Sequence, residues 1–140
     1  MAKLNPYLNF DGKCEEAFNL YKSVFGSEFT HFSRMGEMDG METPDSDKML
    51  VMHVSLPIGQ EVLMGSDVPS SMKSNFKPGN NNYISLTSDN REEADRLFNE
   101  LSANGEVEMP MQETFWGDYF GSFIDKYGVC WMISYNLLKD

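Results

Sequence analysis

Over Leu4 to Phe10 the apolar positions Leu4, Leu8 and Phe10 alternate with Asn5, Tyr7 and Asn9. A period of two predicts a half-buried strand, with Pro6 near its start where a missing N–H is tolerated. Asp11-Gly12 turns the chain. From Lys13 to Phe25 the period lengthens: Cys14, Ala17, Phe18, Leu20, Tyr21, Val24 and Phe25 fall on one helical face, and Gly26 follows as a stop. Alternation returns over Glu28 to Arg34, with Phe29, His31 and Ser33 against Thr30 and Phe32. Met35 to Asp47 is acidic, rich in methionine and without period, which predicts a mobile loop or lid. Lys48 to Pro57 and Glu61 to Gly65 then form a hairpin around Ile58-Gly59-Gln60. Ser66 to Asn80 has the Ser, Pro, Gly and Asn content of a linker.

The second half repeats this order. Asn82 to Thr87 is a strand, and Asp89 to Ala103 a helix capped by Ser88 or Asp89 and stopped by Gly105. Strands follow at Glu106 to Phe115, Tyr119 to Asp125 and Val129 to Asn136. Tyr7-Leu8-Asn9-Phe10 lies over Tyr83-Ile84-Ser85-Leu86, Glu15-Glu16-Ala17 over Glu92-Glu93-Ala94, Leu20-Tyr21 over Leu97-Phe98, and Gly59 over Gly128. The sequence therefore predicts an α+β fold of two tandem βαβββ modules. Module one is 1–66, a linker 67–80 and module two 81–138, together a single domain of residues 1–140. Neither half buries both faces of a four-stranded sheet alone, so the modules are expected to pack together around a common interior.

Composition narrows the function classes. Eleven Lys+Arg against 22 Asp+Glu leave a net charge of −11, which repels phosphate backbones and anionic membranes. No nucleic-acid or membrane partner is expected. No apolar run reaches the roughly 20 residues of a membrane span, and Met-Ala-Lys-Leu-Asn-Pro has no signal-type stretch. Cys14 and Cys130 lie far apart without a C-x-x-C pair and are expected as free thiols. A cytoplasmic protein is expected.

Several stretches resemble the PhnB-like branch of the vicinal oxygen chelate superfamily, also labelled 3-demethylubiquinone-9 3-methyltransferase-like. They are Asn5-Pro6-Tyr7-Leu8, Asp11-Gly12, Cys14-Glu15-Glu16-Ala17, Gly36-Glu37-Met38 and Met64-Gly65-Ser66-Asp67. The most specific are Gln112-Glu113-Thr114-Phe115-Trp116-Gly117 with Phe120-Gly121, then Asp125-Lys126-Tyr127-Gly128-Val129 and Trp131-Met132-Ile133. The resemblance implies the glyoxalase/bleomycin resistance/dioxygenase fold, an open, cleft-lined half-barrel, and, commonly, a homodimer that covers strand edges. It also implies a place for one divalent ion, held by the first and last strands of each module. Carried over, those positions fall at Asn5, at Asn81 or Tyr83, at Leu63 and at Met132. Leucine holds no metal and a thioether suits hard ions poorly, so neither the usual metal site nor a cofactor is expected.

Other ligand sets are sparse. His31 and His53 lie on adjacent predicted strands, and with Glu113 they would make a rearranged metal site for a lyase, isomerase or dioxygenase. Neither histidine belongs to a close-spaced pair. The acidic loop from Glu37 to Asp47 does not follow a calcium-loop pattern. No G-x-G-x-x-G supports a methyl-donor nucleotide site, and no G-x-S-x-G supports a serine hydrolase.

Asn5, Tyr7, Asn9, Tyr83, Ser85, Cys130, Met132 and Ser134 share the parity opposite the helix-packed face. Polar and soft side chains turned inward are costly unless solvated or bound, so these point to a cleft for a small polar, neutral or zwitterionic ligand. His53 and Glu113 are further candidates for that cleft. Phe115 and Trp116, in a loop-like Glu-Thr-Phe-Trp-Gly stretch, either wall the pocket or form an interface. Trp131 is assigned to the core. Cys130 lacks a base or cation beside it in sequence and is assigned a structural thiol. The leading expectation is a small-molecule-binding homodimer. A metal-dependent enzyme is the rival, and a filled, purely partner-binding protein the third class.

Overall fold

The computed structural model describes residues 1–40 and 42–139. The chain separates into two compact units, Met1–Lys77 and Pro78–Asp140. Each unit is a four-stranded mixed sheet with one long helix on one face. Among the described residues, no helix is long and apolar enough to cross a membrane.

In the first unit the elements are β1 (Tyr7–Phe10), α1 (Cys14–Phe25), β2 (His31–Arg34), β3 (Val51–Ile58) and β4 (Glu61–Asp67). The sheet order is β1-β4-β3-β2, with β1 parallel to β4 and the other pairs antiparallel. Helix α1 buries Cys14, Ala17, Phe18, Tyr21 and Val24, the stripe predicted by periodicity, and ends on Gly26 at φ 65°. Its ring Phe18 lies edge-on to Phe10 and Tyr21 and closes on Gly65, where a Cβ would stand 2.6 Å from the Phe18 ring. Buried Asp67 ties three elements: Oδ1 accepts from the Cys14 N–H and Oδ2 from the Val51 N–H.

In the second unit the elements are β5 (Ile84–Thr87), α2 (Arg91–Ser102), β6 (Glu106–Glu113), β7 (Asp118–Ile124) and β8 (Cys130–Asn136), in sheet order β5-β8-β7-β6. Helix α2 buries Ala94, Leu97, Phe98 and Leu101, and Phe98 meets Phe123 edge-on at 5.1 Å. Trp131 is fully buried and donates its indole N–H to Asp125, which also accepts from the Tyr127 and Val129 N–H groups. The order β-α-β-β-β recurs in both units, as the repeat predicts.

Local boundaries differ from the sequence reading for identifiable reasons. The first strand starts at Tyr7 and Leu4 is 93% exposed, because pairing with β4 runs only from Tyr7 to Phe10. The second strand is likewise shorter than Glu28 to Arg34, with Phe29 outside it and stacked on Phe32. The stretch expected as a mobile lid has fixed points: Gly36 N–H donates to the Lys48 carbonyl, and buried Asp47 accepts from the Ser70 N–H and hydroxyl. The expected linker gives up Asp67 to β4 and forms a 3-10 turn over Ser70–Asn75. Helix α2 is capped by Asn90, not Ser88 or Asp89. Asn90 Oδ1 accepts from the Glu93 N–H at 2.8 Å, the Glu93 carboxylate accepts from the Asp89 N–H before the cap, and the Ser88 hydroxyl is turned to the Asn90 carbonyl. Past the helix it is Asn104, one residue before Gly105, that takes the left-handed turn.

Candidate functional site

Strand registers decide which side chains share a face. In the first unit Leu8, Phe32, Val54, Leu56, Leu63 and Gly65 face α1, and the alternate positions form the opposite, open face. That open face carries Tyr7 and Asn9 on β1, Met64 and Ser66 on β4, His53 and Ser55 on β3, and His31 and Ser33 on β2. Its polar groups are linked. The Tyr7 hydroxyl lies 3.2 Å from His53 Nδ1, and His53 Nε2 lies 2.8 Å from the Ser55 hydroxyl. His31 Nε2 is 3.2 Å from the Ser33 hydroxyl, and Ser66 donates to Asn9 Oδ1. The two imidazoles have ring centroids 5.2 Å apart. Partial burial, and after it the neighbouring His31, hold the His53 pKa below the usual histidine value, which favours the neutral ring.

In the second unit the open face carries Ser85 on β5, Cys130, Met132 and Ser134 on β8, and Phe120 and Ser122 on β7. Tyr83, just before β5, donates its hydroxyl to both oxygens of Glu108 at 2.8 and 2.9 Å. Glu108 occupies the irregular step of β6 between Val107 and Met109. The hydrogen bond to a carboxylate raises the Tyr83 pKa. Burial, with Glu108 and Asp125 adding to it, pushes the Cys130 thiol up, and its sulfur lies 3.8 Å from the Gly79 carbonyl. Cys130 is thus held as a thiol and not primed as a nucleophile. Cys14, buried at the start of α1, is pushed up in the same way, and both cysteines are free.

Several sequence candidates stand together and others stand apart. Tyr7, Asn9 and His53 share the first open face; Ser85, Cys130 and Met132 share the second, and Tyr83 reaches across it. Asn5 precedes β1 and is exposed. Glu113 lies on the α2 side of its sheet, 3.4 Å from Arg91 and opposite Tyr119, whose hydroxyl donates to Asp95. No group of three or more His, Cys, Asp or Glu side chains able to hold an ion occurs among the described residues, the set His31, His53 and Glu113 included. Phe115 is 98% and Trp116 50% exposed, the two rings meet edge-on, and the Trp116 N–H donates to Asp118.

The carried-over metal position at Leu63 needs correction. Leu63 is buried on the α1 side, opposite Leu56. The turn before β4 is the two residues Gly59-Gln60, whereas Asp125 to Val129 separate β7 from β8. Counting from the glycines thus slips the register by one residue and changes the face. The open-face neighbours on β4 are Val62, Met64 and Ser66, which supply no carboxylate. With Asn5, Tyr83 and Met132, this donor set does not fit a hard divalent ion.

Ser33, Ser55 and Glu108 were missed by the sequence reading. The first two had a signal: His31-Phe32-Ser33 and His53-Val54-Ser55 repeat His-x-Ser on two neighbouring strands. Glu108 had none, because its position depends on the irregular register of β6.

Comparison with known proteins follows the same lines. A family model described as 3-demethylubiquinone-9 3-methyltransferase matches residues 2–134. Protein YjdN of Escherichia coli K12 is 36% identical over 149 residues, covering 98% of this chain and 96% of that protein. The crystal structure of protein PA1353 from Pseudomonas aeruginosa aligns with a TM-score of 0.85 at 36% identity, over 97% of this chain and 98% of the other. A Bacillus cereus PhnB protein, a putative 3-demethylubiquinone-9 3-methyltransferase, aligns at 0.78 and 30% identity over 96% and 99%. At lower identity the shared feature is the glyoxalase/bleomycin resistance/dioxygenase fold alone.

Proposed function

The chain belongs to the 3-demethylubiquinone-9 3-methyltransferase-like, or PhnB-like, family, and from that premise we propose that it binds a small polar molecule, neutral or zwitterionic, on the open faces of its sheets. The observation that carries this reading is the linked row Tyr7, His53 and Ser55 on the face opposite α1. A sheet face built only for packing would carry apolar side chains there; hydroxyls, amides and a neutral imidazole offer both donors and acceptors to a ligand. Tyr83 and Glu108 extend the same chemistry to the second sheet. Binding is proposed to proceed without an ion at the superfamily's usual positions, since their residues do not match such an ion.

Native mass spectrometry of protein purified without dialysis tests the reading, together with thermal shifts against a panel of free amino acids, polyols and small amides. A co-purifying or stabilising compound whose effect is lost in both Tyr7→Phe and His53→Ala is expected. No mass adduct and no shift at millimolar concentration would overturn it.

The protein is further proposed to act as a cytoplasmic homodimer. Support comes from Phe115, Trp116, Val107 and Leu138, large apolar side chains left exposed in the second unit. Light scattering at micromolar concentration is expected to give the mass of two chains, and a single-chain mass independent of concentration overturns this part.

A further inference from the structure

The two His-x-Ser segments lie antiparallel in register, with His31 opposite Ser55 and Ser33 opposite His53. The histidines are therefore diagonal neighbours on one face, and each Nε2 addresses the hydroxyl two residues along its own strand. This is a local two-fold arrangement of two imidazoles and two hydroxyls. It lies on β2 and β3, away from the first- and last-strand positions discussed above.

We infer that the His31–His53 pair is a binding site for a borderline transition-metal cation of the Zn²⁺, Ni²⁺ or Cu²⁺ class. Imidazole is the ligand these ions share, and hydroxyl groups alone would not select them. The spacing suits the role. With a Zn–N bond of about 2.0–2.1 Å an imidazole centroid lies about 3.2 Å from the ion, so two rings at a tetrahedral angle stand about 5 Å apart. The centroids of His31 and His53 are 5.2 Å apart with the rings inclined at 55°. Tyr7 supplies the supporting contact that ligating histidines use: in the tautomer that binds an ion, His53 Nδ1–H donates to the Tyr7 hydroxyl and leaves the Nε2 lone pair on the side of Ser55. An arriving ion replaces the serine contacts of the two Nε2 atoms and leaves the Tyr7 contact in place. A chain of net charge −11 draws cations toward it while repelling anions. Electrostatics thus selects a cation for a face whose donors would also serve an anion.

The test uses the full chain without an affinity tag, stripped of metal, titrated with Zn²⁺ or Ni²⁺ in competition with a chromophoric chelator at pH 7.5. Cu²⁺ electron paramagnetic resonance runs in parallel. One equivalent per chain is expected, with nitrogen hyperfine structure in the Cu²⁺ spectrum. His31→Gln and His53→Gln are each expected to weaken binding roughly tenfold or more. Exposed His31 tolerates substitution, so its variant stays informative if the His53 variant folds poorly, and Glu61→Gln serves as an acidic-surface control. Binding equal in wild type and both histidine variants, a Cu²⁺ spectrum without nitrogen coupling, or no binding at all would overturn the inference. The readout is independent of any small-molecule ligand, so a failed ligand screen leaves this result standing.

Discussion

Tyr7 and Tyr83 occupy equivalent places at the head of the two repeated units, and each sends its hydroxyl to an ionisable side chain on another strand. Tyr7 meets His53 and Tyr83 meets Glu108. The repeat has kept the phenol and exchanged its partner, a base in one unit and a carboxylate in the other. An ionised carboxylate accepting the Tyr83 proton stabilises the neutral phenol, which raises its pKa.

Glu108→Gln is expected to bring the Tyr83 titration back toward about 10, the ordinary tyrosine value. Alkaline spectrophotometric titration of wild type, Glu108→Gln and Tyr83→Phe isolates the one phenol by difference. Superimposable wild-type and Glu108→Gln curves would contradict the assignment.

Asp67→Ala leaves the buried Cys14 and Val51 N–H groups without their acceptor and loosens α1 from β3 and β4 together. A loss of about 2–4 kcal/mol is expected by urea denaturation. Asp67→Asn keeps one acceptor oxygen and is expected to lose less. Equal losses in the two variants would argue that charge, not hydrogen bonding, is what the site needs.

Gly65→Ala is expected to cost about 1–3 kcal/mol, because the new methyl meets the Phe18 ring at 2.6 Å and the Leu8 carbonyl at 2.9 Å. Phe18→Leu in the same chain should recover part of that cost beyond simple addition, which a double-mutant cycle measures. Strict additivity of the two substitutions would locate the strain at the Leu8 backbone instead.

His53 has a folded-state pKa below its unfolded value, so the unfolded chain binds the proton more readily. Its contribution to stability is fully present above the unfolded value near pH 6.5 and is lost as pH falls through the lower, folded value. Urea denaturation from pH 7.5 down to pH 5 is expected to show a steeper loss for wild type than for His53→Gln. Parallel curves would mean that His53 keeps its ordinary pKa in the fold.

The hydrophobic periods of the chain by themselves determined the two helices, the eight strands and their order. These signals are local: Phe18, Tyr21 and Val24 recur at helical spacing whatever lies above them, and Gly26 stops the helix for a purely conformational reason. Family membership was also legible, because it rests on stretches such as Gln112 to Gly117 that are contiguous in sequence. Open-face membership of Tyr7, Asn9, Ser85 and Met132 followed from parity alone.

Tertiary structure alone decided what depends on register between strands. Leu63 faces the helix and Met64 the open face because β4 pairs Leu63 with Leu56 and Met64 with Ser55. Glu113, grouped by sequence with the histidines, falls on the helix side through its pairing with Tyr119, where it meets Arg91. His31 and His53, 22 positions apart in the chain, become diagonal neighbours only through the pairing of Ser33 with His53 and Ser55 with His31. A one-residue slip in that ladder would turn the imidazole of one strand to the helix face, and sequence periodicity carries no term for such a slip. Which residues lie on a face is written in the spacing along one strand, and which of them meet is set by hydrogen bonds between strands.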